Sequence, residues 1–141
     1  MSANDIEELK SLTANLQQGL QFYQSAALRA ELPEHRAIFE RMRISREFAL
    51  GYLESIVESG GEYTAHAFGS VLHKMYPDIL FGLNQQFDTE LVKESHQIEL
   101  DTLRAMQHAF KHIENSTIQT VLVDLYPQIN GKNNWDLDKA C

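Results

Sequence analysis

Apolar residues recur at alternating steps of three and four along four segments of this 141-residue chain, and no segment shows the period of two that marks a strand. Between residues 92 and 113 the repeat comprises Val92, His96, Glu99, Leu103, Met106, Phe110 and Ile113. Residues at these steps share one face of an α-helix, so each segment predicts an amphipathic helix. The fold class predicted is all-α.

The first helix is expected to run from about Ile6 to Ala30, with Asn4 and Glu7 as a capping box. Its buried stripe is predicted at Ile6, Leu9, Thr13, Leu16, Leu20, Tyr23 and Ala27. Leu12, Gly19 and Ala26 lie beside this stripe and predict a groove of small residues that another helix can approach.

The second helix is expected from Pro33, a residue suited to a first turn, to about Val57. Its buried side is predicted at Ile38, Met42, Ser45, Ala49, Tyr52, Leu53 and Ile56. Glutamates repeat every seven residues at Glu40, Glu47 and Glu54, but on the opposite face, which predicts a solvated surface and not a row of ligands.

The third helix is expected from Asp88 or Thr89 to about Glu114, and the fourth from Ser116, where Ser116 and Gln119 suggest a capping box. Pro127 predicts a kink or an early end of the fourth helix. Residues 61–88 are too many for a bare connection and predict one or two short helices broken at Pro77.

Two helical hairpins joined by one long crossover are the arrangement of ferritin-like bundles. The chain is therefore predicted to be a single ferritin-like four-helix-bundle domain spanning residues 1–141, with a long, partly helical crossover between helices 2 and 3 and a loose tail from about residue 130.

Charge and composition disfavour several classes of partner. Twelve basic and twenty acidic residues give a net charge of −8 with no basic run, which disfavours nucleic acid and anionic membranes. The chain has no apolar stretch of about 18 residues, so no membrane-spanning helix is predicted. The acidic N-terminus is unlike a signal peptide, and the cytoplasm is therefore the expected location. The single cysteine, Cys141, is expected to be an inert thiol.

Ferritin-like di-iron sites use Glu-x-x-His pairs on two helices, in which both side chains reach one ion. No glutamate of the predicted helices is followed by histidine three residues later. A nucleophile elbow and a phosphate loop are also missing. The sequence thus gives no catalytic residue and no resident cofactor, and an enzyme is not favoured.

The reversed pair His96 and Glu99 stands where the third helix should be apolar. A lone buried carboxylate is too costly, so Glu99 is expected to have a partner, and the candidates are Arg46, Tyr23, Tyr52 and His73. One interpretation is a polar cluster that fixes helix register. The alternatives are a metal or ligand site of His96, Glu99 and His73 for iron, manganese or zinc, and a Glu99 that faces water.

His108 and His112 are spaced i, i+4, which suits chelation of one ion. Both fall opposite the apolar stripe, and no third ligand lies beside them in sequence. They are expected to be exposed and functionally silent.

Residues 5 to 113 resemble a bacterial ferritin-like family of unknown function, the domain-of-unknown-function 2383 four-helix-bundle proteins. The likeness rests on "GLQFYQSAA", "GGE", "GSVLHKMY" and "ESHQIEL". The residues that match the family's crossover and third helix are Gly69, Ser70, His73, Lys74, Tyr76, Glu94 and Glu99, with His96 where that family tends to have an acid. The resemblance implies a fold and no particular activity.

Two functions remain open from the sequence. The first is a non-catalytic structural or protein-interaction bundle, and the second is a degenerate metal or small-ligand binder. A homo-oligomer, most simply a dimer, is expected because the tail and the crossover hold more apolar area than one crossing segment readily buries. The large apolar residues concerned are Phe68, Leu72, Tyr76, Ile79, Leu80 and Phe81. Another protein is the other possible partner.

Overall fold

The structure, a computed structural model, describes residues 2–58 and 82–125. These ranges contain four helices: α1 (Ala3–Arg29), α2 (Pro33–Glu58), α3 (Thr89–His112) and α4 (Ser116–Leu125). They contain no strand, which confirms the all-α prediction for this part of the chain. The predicted crossover helices, the kink at Pro127, the loose tail and Cys141 lie outside the described residues.

None of the helices in the described ranges combines the length and the apolar character that crossing a bilayer requires.

The first helix begins earlier than predicted because Ser2, and not Asn4, is its N-cap. The Ser2 hydroxyl accepts a hydrogen bond from the backbone N–H of Asp5 at 3.1 Å, and this satisfies one of the free amides of the first turn. Asn4 instead donates to the carbonyl of His112 at 2.9 Å. The predicted Asn4–Glu7 capping box is therefore wrong.

The last helix begins at Ser116 as predicted, but its cap is one residue earlier. The Asn115 side chain accepts from the backbone N–H of Ile118 at 3.1 Å. Gln119, expected in a capping box with Ser116, donates its side-chain amide to the carbonyl of Ile113 at 2.7 Å. This bond satisfies one of the carbonyls left free at the end of α3.

Contacts between the helices fix their directions. Helix α1 runs antiparallel to α2, since Phe22 packs on Phe39 and Gly19 lies against Arg46. Helix α3 is antiparallel to α1 and parallel to α2. The pairs that show the parallel direction are His35 with Asp88 at one end and Arg46 with Glu99 farther along.

The hydrophobic core lies between these helices. Its fully buried members include Leu9, Leu12 and Leu16 of α1, Phe39, Met42 and Leu53 of α2, Leu103 and Met106 of α3, and Ile118 and Leu122 of α4. Phe22, Tyr23 and Phe39 form an aromatic group at one level of the core, with ring centroids 5.1–6.1 Å apart.

The buried faces are rotated slightly from the predicted stripes. On α3, Ser95 and Thr102 are fully buried, whereas His96 and Phe110 are half-buried. The two hydroxyls are tolerated in the core because each donates to a carbonyl of its own helix, Ser95 to Val92 at 2.7 Å and Thr102 to Ile98 at 2.9 Å. The same shift buries Leu12, Gly19 and Ala26 of α1 and leaves Ile6, Thr13 and Ala27 half-buried.

Candidate functional site

Four polar side chains meet in the apolar interior: Tyr23 of α1, Arg46 of α2, and Glu99 and Thr102 of α3. We call this group the core polar cluster. All four residues are buried, and the side chains of Arg46 and Glu99 have no exposed surface. The cluster therefore joins three helices in a place where a polar group is stable only if it is hydrogen-bonded.

One oxygen of Glu99 is the centre of the cluster. Oε2 accepts a hydrogen bond from the Tyr23 hydroxyl at 2.8 Å and another from Nη2 of Arg46. The same Nη2 donates to the Thr102 hydroxyl at 2.9 Å. The guanidinium carbon also lies 5.3 Å from the centre of the Tyr23 ring, within the range of a cation–π interaction. The carboxylate and the guanidinium thus neutralise each other inside the protein.

The expectation that Glu99 has a buried polar partner is confirmed. Tyr23 and Arg46, two of the four candidates, are hydrogen-bonded to it. Tyr52 is buried on α2, and His73 lies outside the described residues. Arg46, which the predicted pattern placed beside the buried face of α2, is at its centre.

His96 lies one turn before Glu99 and is half-buried. Burial lowers the pKa of its imidazole below the ordinary value, and the nearby charge of Glu99 opposes this effect without cancelling it. It borders a shallow surface depression lined by Gln85, Thr89, Val92 and Lys93. A metal site of His96, Glu99 and His73 stays a prediction.

His108 and His112 are exposed on α3, as predicted. Their rings are stacked, with centroids 4.1 Å apart and planes 22° from parallel. Glu8 of α1 lies beside them, with its Oε2 3.0 Å from Nδ1 of His108. One ligand atom from each of the three residues lies within 4.8 Å of the other two, a spacing that can hold a metal ion.

Asp5 is a buried carboxylate at the start of α1 that the sequence did not single out. It accepts hydrogen bonds from the backbone N–H groups of Glu114 at 2.8 Å and Asn115 at 3.2 Å, in the connection between α3 and α4. Its position continues the four-and-three spacing of Leu9, Leu12 and Leu16, which is the signal that identifies it as core-facing.

A second buried anchor joins Asp88 to the start of α2. Its carboxylate accepts from the backbone N–H groups of Glu31 at 2.7 Å and Leu32 at 3.3 Å, and from Nδ1 of His35 at 2.8 Å. Nε2 of His35 accepts from the backbone N–H of Asn84 at 2.8 Å. Burial acts to raise the pKa of Asp88, but these hydrogen bonds prevail and hold it below the ordinary value.

The heptad glutamates of α2 face away from the core, as predicted. Glu47 and Glu54 are exposed, and Glu40 is half-buried and paired with Arg43. The hydrogen bond from Arg43 holds the pKa of Glu40 below its ordinary value. Arg43 also pairs with Glu47 at 2.7 Å. These side chains form a charged surface on α2.

Comparisons of the chain with protein-family models, with curated proteins and with solved structures give no match.

Proposed function

We propose that this chain is a ferritin-like helical bundle without a catalytic metal centre, which acts as a structural or protein-binding module. The observation that carries the proposal is the ion pair between Arg46 and Glu99 in the middle of the bundle. Di-iron bundles hold inward-facing carboxylates and histidines at such a position. Here a guanidinium, which is positively charged at every physiological pH, takes the place that a metal ion would need.

The helix directions support the ferritin-like topology. A connection of three residues, 30–32, turns α1 back into the antiparallel α2. The next connection covers residues 59–88 and leads into α3, which runs parallel to α2. A parallel neighbour requires a connection that returns along the length of the bundle, and this length of chain is sufficient for it.

The energetics of the core polar cluster also favour a structural role. A metal ion that bound Glu99 would displace the guanidinium of Arg46 and leave it buried without its counter-ion. Removing one partner of a buried ion pair typically costs about 3–5 kcal/mol. A metal at Glu99 would have to overcome this cost, which the intact ion pair avoids, and this favours Glu99 as a fixed link between α1, α2 and α3.

Thermal melting with and without iron, manganese or zinc tests this role. We expect any metal-induced shift in melting temperature to be the same in wild type and in Glu99→Gln, because Glu99 does not bind the ion. A site that used Glu99 would add about 2.7 kcal/mol of stability at one hundred times its dissociation constant. A shift present in wild type and lost in Glu99→Gln would contradict the proposal.

Glu99→Ala is the companion variant for the same experiment. Both changes remove the charge that pairs with Arg46, but glutamine keeps an oxygen that can accept hydrogen bonds from Tyr23 and Arg46. Alanine has no such oxygen, so the donors Tyr23 and Arg46 lose their acceptor, and the free energy of unfolding should fall by a further ~1–3 kcal/mol. Alanine should therefore lower stability more than glutamine, and equal losses would show that the hydrogen bonds of Glu99 contribute little.

The surface suggests a second copy of the chain as the partner. Leu28 of α1 is 85% exposed and lines an open groove between α1 and α2 with Ala27 and Ala37. The rim of this groove carries Arg36, Glu40 and Arg43, so it has charges of both signs. Two copies related by a twofold axis can bring the apolar strips together and place unlike charges opposite each other.

A further inference from the structure

We propose that Glu8, His108 and His112 form a zinc-binding site that connects the first turns of α1 to the last turn of α3. We call these residues the two-helix triad. Two imidazoles and one carboxylate are a recurrent ligand set for Zn²⁺, with a fourth position left to water. Within residues 2–58 and 82–125, these are the side chains whose spacing satisfies a three-ligand arrangement.

One of the three ligand distances, between Glu8 and His108, is already close to that of a complex. In tetrahedral zinc sites with bonds of about 2.0–2.1 Å, neighbouring ligand atoms are about 3.3 Å apart. Nδ1 of His108 donates a hydrogen bond to Oε2 of Glu8 at 3.0 Å. A zinc ion can replace that proton with a small widening of the gap. The displaced proton moves through solvent to Nε2 of the same ring.

The third ligand is oriented by its own helix. Nδ1 of His112 lies 2.8 Å from the carbonyl oxygen of His108. A carbonyl only accepts hydrogen bonds, so Nδ1 carries the hydrogen and Nε2 has the free lone pair. Metal-binding histidines commonly have this arrangement, in which a hydrogen bond at one nitrogen fixes the ring and directs the other nitrogen to the ion.

The electrostatic setting favours a cation. Helix α3 ends at His112, and the carbonyls at a helix C-terminus carry a partial negative charge. Glu8 adds a carboxylate whose side chain is only 17% exposed. The charge on the ion would thus be balanced by Glu8 and by the end of α3.

The backbone beneath the triad is held in place independently of the metal. Asn4 donates to the carbonyl of His112, and Asp5 accepts from the amides of Glu114 and Asn115. These bonds fix the start of α1 against the end of α3, so little order has to be gained when an ion binds. The triad lies near this end of the helices, whereas the core polar cluster lies farther along α3, and their variants separate the two sites.

Titration calorimetry of metal-free, untagged protein with zinc chloride tests the inference. We expect one ion per chain, and no comparable binding of Mg²⁺, which prefers oxygen ligands. Removing a group that only hydrogen-bonds to a metal ligand commonly weakens metal binding about 10–100-fold. Removing a ligand itself should cost at least as much, so Glu8→Gln, His108→Gln and His112→Gln should each weaken zinc binding at least tenfold. Glu7→Gln and His96→Gln, which alter an exposed neighbour of Glu8 and another histidine of α3, are the matched controls and should leave it unchanged.

Three outcomes would overturn the inference. The first is the absence of one-to-one zinc binding by wild type. The second is zinc binding that none of the three substitutions weakens. The third is zinc binding that His108→Gln and His112→Gln abolish but Glu8→Gln does not, which would identify an adventitious two-histidine contact. Circular dichroism of each variant checks folding, and imidazole NMR resonances of wild type should shift with zinc at positions 108 and 112 but not at position 96.

Discussion

Arg46 is the largest fully buried side chain in the described residues, and its guanidinium lies against the backbone of Gly19. A Cβ atom at position 19 would come within 2.6 Å of both Cζ and Nη1, closer than atoms pack. Glycine therefore provides the space on α1 in which the charged group of α2 can reach Glu99. The groove of small residues on α1 receives a side chain of α2 and not the backbone of another helix.

Gly19→Ala should destabilise the protein although alanine is the better helix former. The helix preference favours alanine by about 1 kcal/mol, but the added methyl group pushes a guanidinium that Glu99 and Thr102 hold, and such overpacking costs about 1–3 kcal/mol. Gly51→Ala is the matched control, because a Cβ there meets nothing within 4 Å, and it should stabilise α2. Urea unfolding measures both. Equal stabilisation by the two changes would mean that Arg46 moves freely.

The amphipathic pattern predicted a buried partner for Glu99 because an isolated carboxylate in a helical stripe is too costly. It did not place Arg46 at the centre, because a stripe chosen by apolar character passes over charged residues. The steps His35, Phe39, Met42 and Arg46 are four, three and four, and this stripe describes the buried face of α2 better than the predicted one. Polar residues that continue an apolar spacing therefore indicate the buried face of a helix as well as apolar residues do.

At the scale of the helices, Asp88 joins the start of α3 to the start of α2. It is the N-cap residue of α3 and has a left-handed backbone, with φ 51° and ψ 41°. Its carboxylate binds no amide of its own helix but those of Glu31 and Leu32, just before Pro33. Because α2 and α3 are parallel, their N-termini lie at the same end of the bundle. Asp88 can therefore begin α3 and also accept hydrogen bonds from the amides that precede α2.

Asp88→Asn should lower stability at neutral pH by about 1–3 kcal/mol, because it removes a charged acceptor of buried hydrogen bonds. Asparagine tolerates the left-handed backbone, so strain does not confuse the result. The folded pKa of Asp88 is lowered, so its contribution is complete above about pH 4 and is lost as the pH falls through the folded pKa. The difference between wild type and variant should therefore shrink in acid, as measured by urea unfolding at several pH values.

Glu90→Gln is the control for Asp88→Asn. It changes an exposed carboxylate in the first turn of α3 and should alter stability by less than about 0.5 kcal/mol at any of these pH values. A difference for Asp88→Asn that stays constant down to acid pH would show that the charge of Asp88 contributes nothing.

The starts of three helices were predictable, since Pro33, Thr89 and Ser116 begin their helices where the sequence pattern placed them, although the predicted capping boxes were wrong. The rotation of each helix was not. Ser95 and Thr102 bind carbonyls of their own helix and so enter the core, which a hydrophobicity pattern cannot register. The same limitation explains why the predicted stripe counted His96 and Phe110 as core residues, although both are only half-buried.

At the scale of the whole molecule, the bundle brings together residues that are far apart in the chain. Glu8 and His108 are separated by 100 positions, and their contact depends on the antiparallel packing of α1 and α3. Sequence spacing identified the histidine pair because both members are on one helix. It could not find the third member, because spacing within a helix contains no information about which helix packs beside it.

If two copies of the chain associate through the groove beside Leu28, Leu28→Glu should weaken the dimer. The new charge would be buried against an apolar strip in the dimer but lies in water in the monomer, so folding should be unaffected. Sedimentation velocity over a series of protein concentrations measures the effect. Ser11→Glu adds the same charge at an exposed position far along α1 and should leave association unchanged. A wild-type monomer at high micromolar concentration would rule out the dimer.

The bonds from Asp5 to Glu114 and Asn115 also set an order of events during synthesis. Their partners are 109 and 110 positions apart, so at 5–20 residues per second the ribosome adds the second partner roughly 5–20 s after the first. The α1–α2 hairpin has local contacts and can form well before then. Throughout that interval the start of α1, which carries the core residues Leu9 and Leu12, has no α3 to pack against, so chaperones and proteases can reach it.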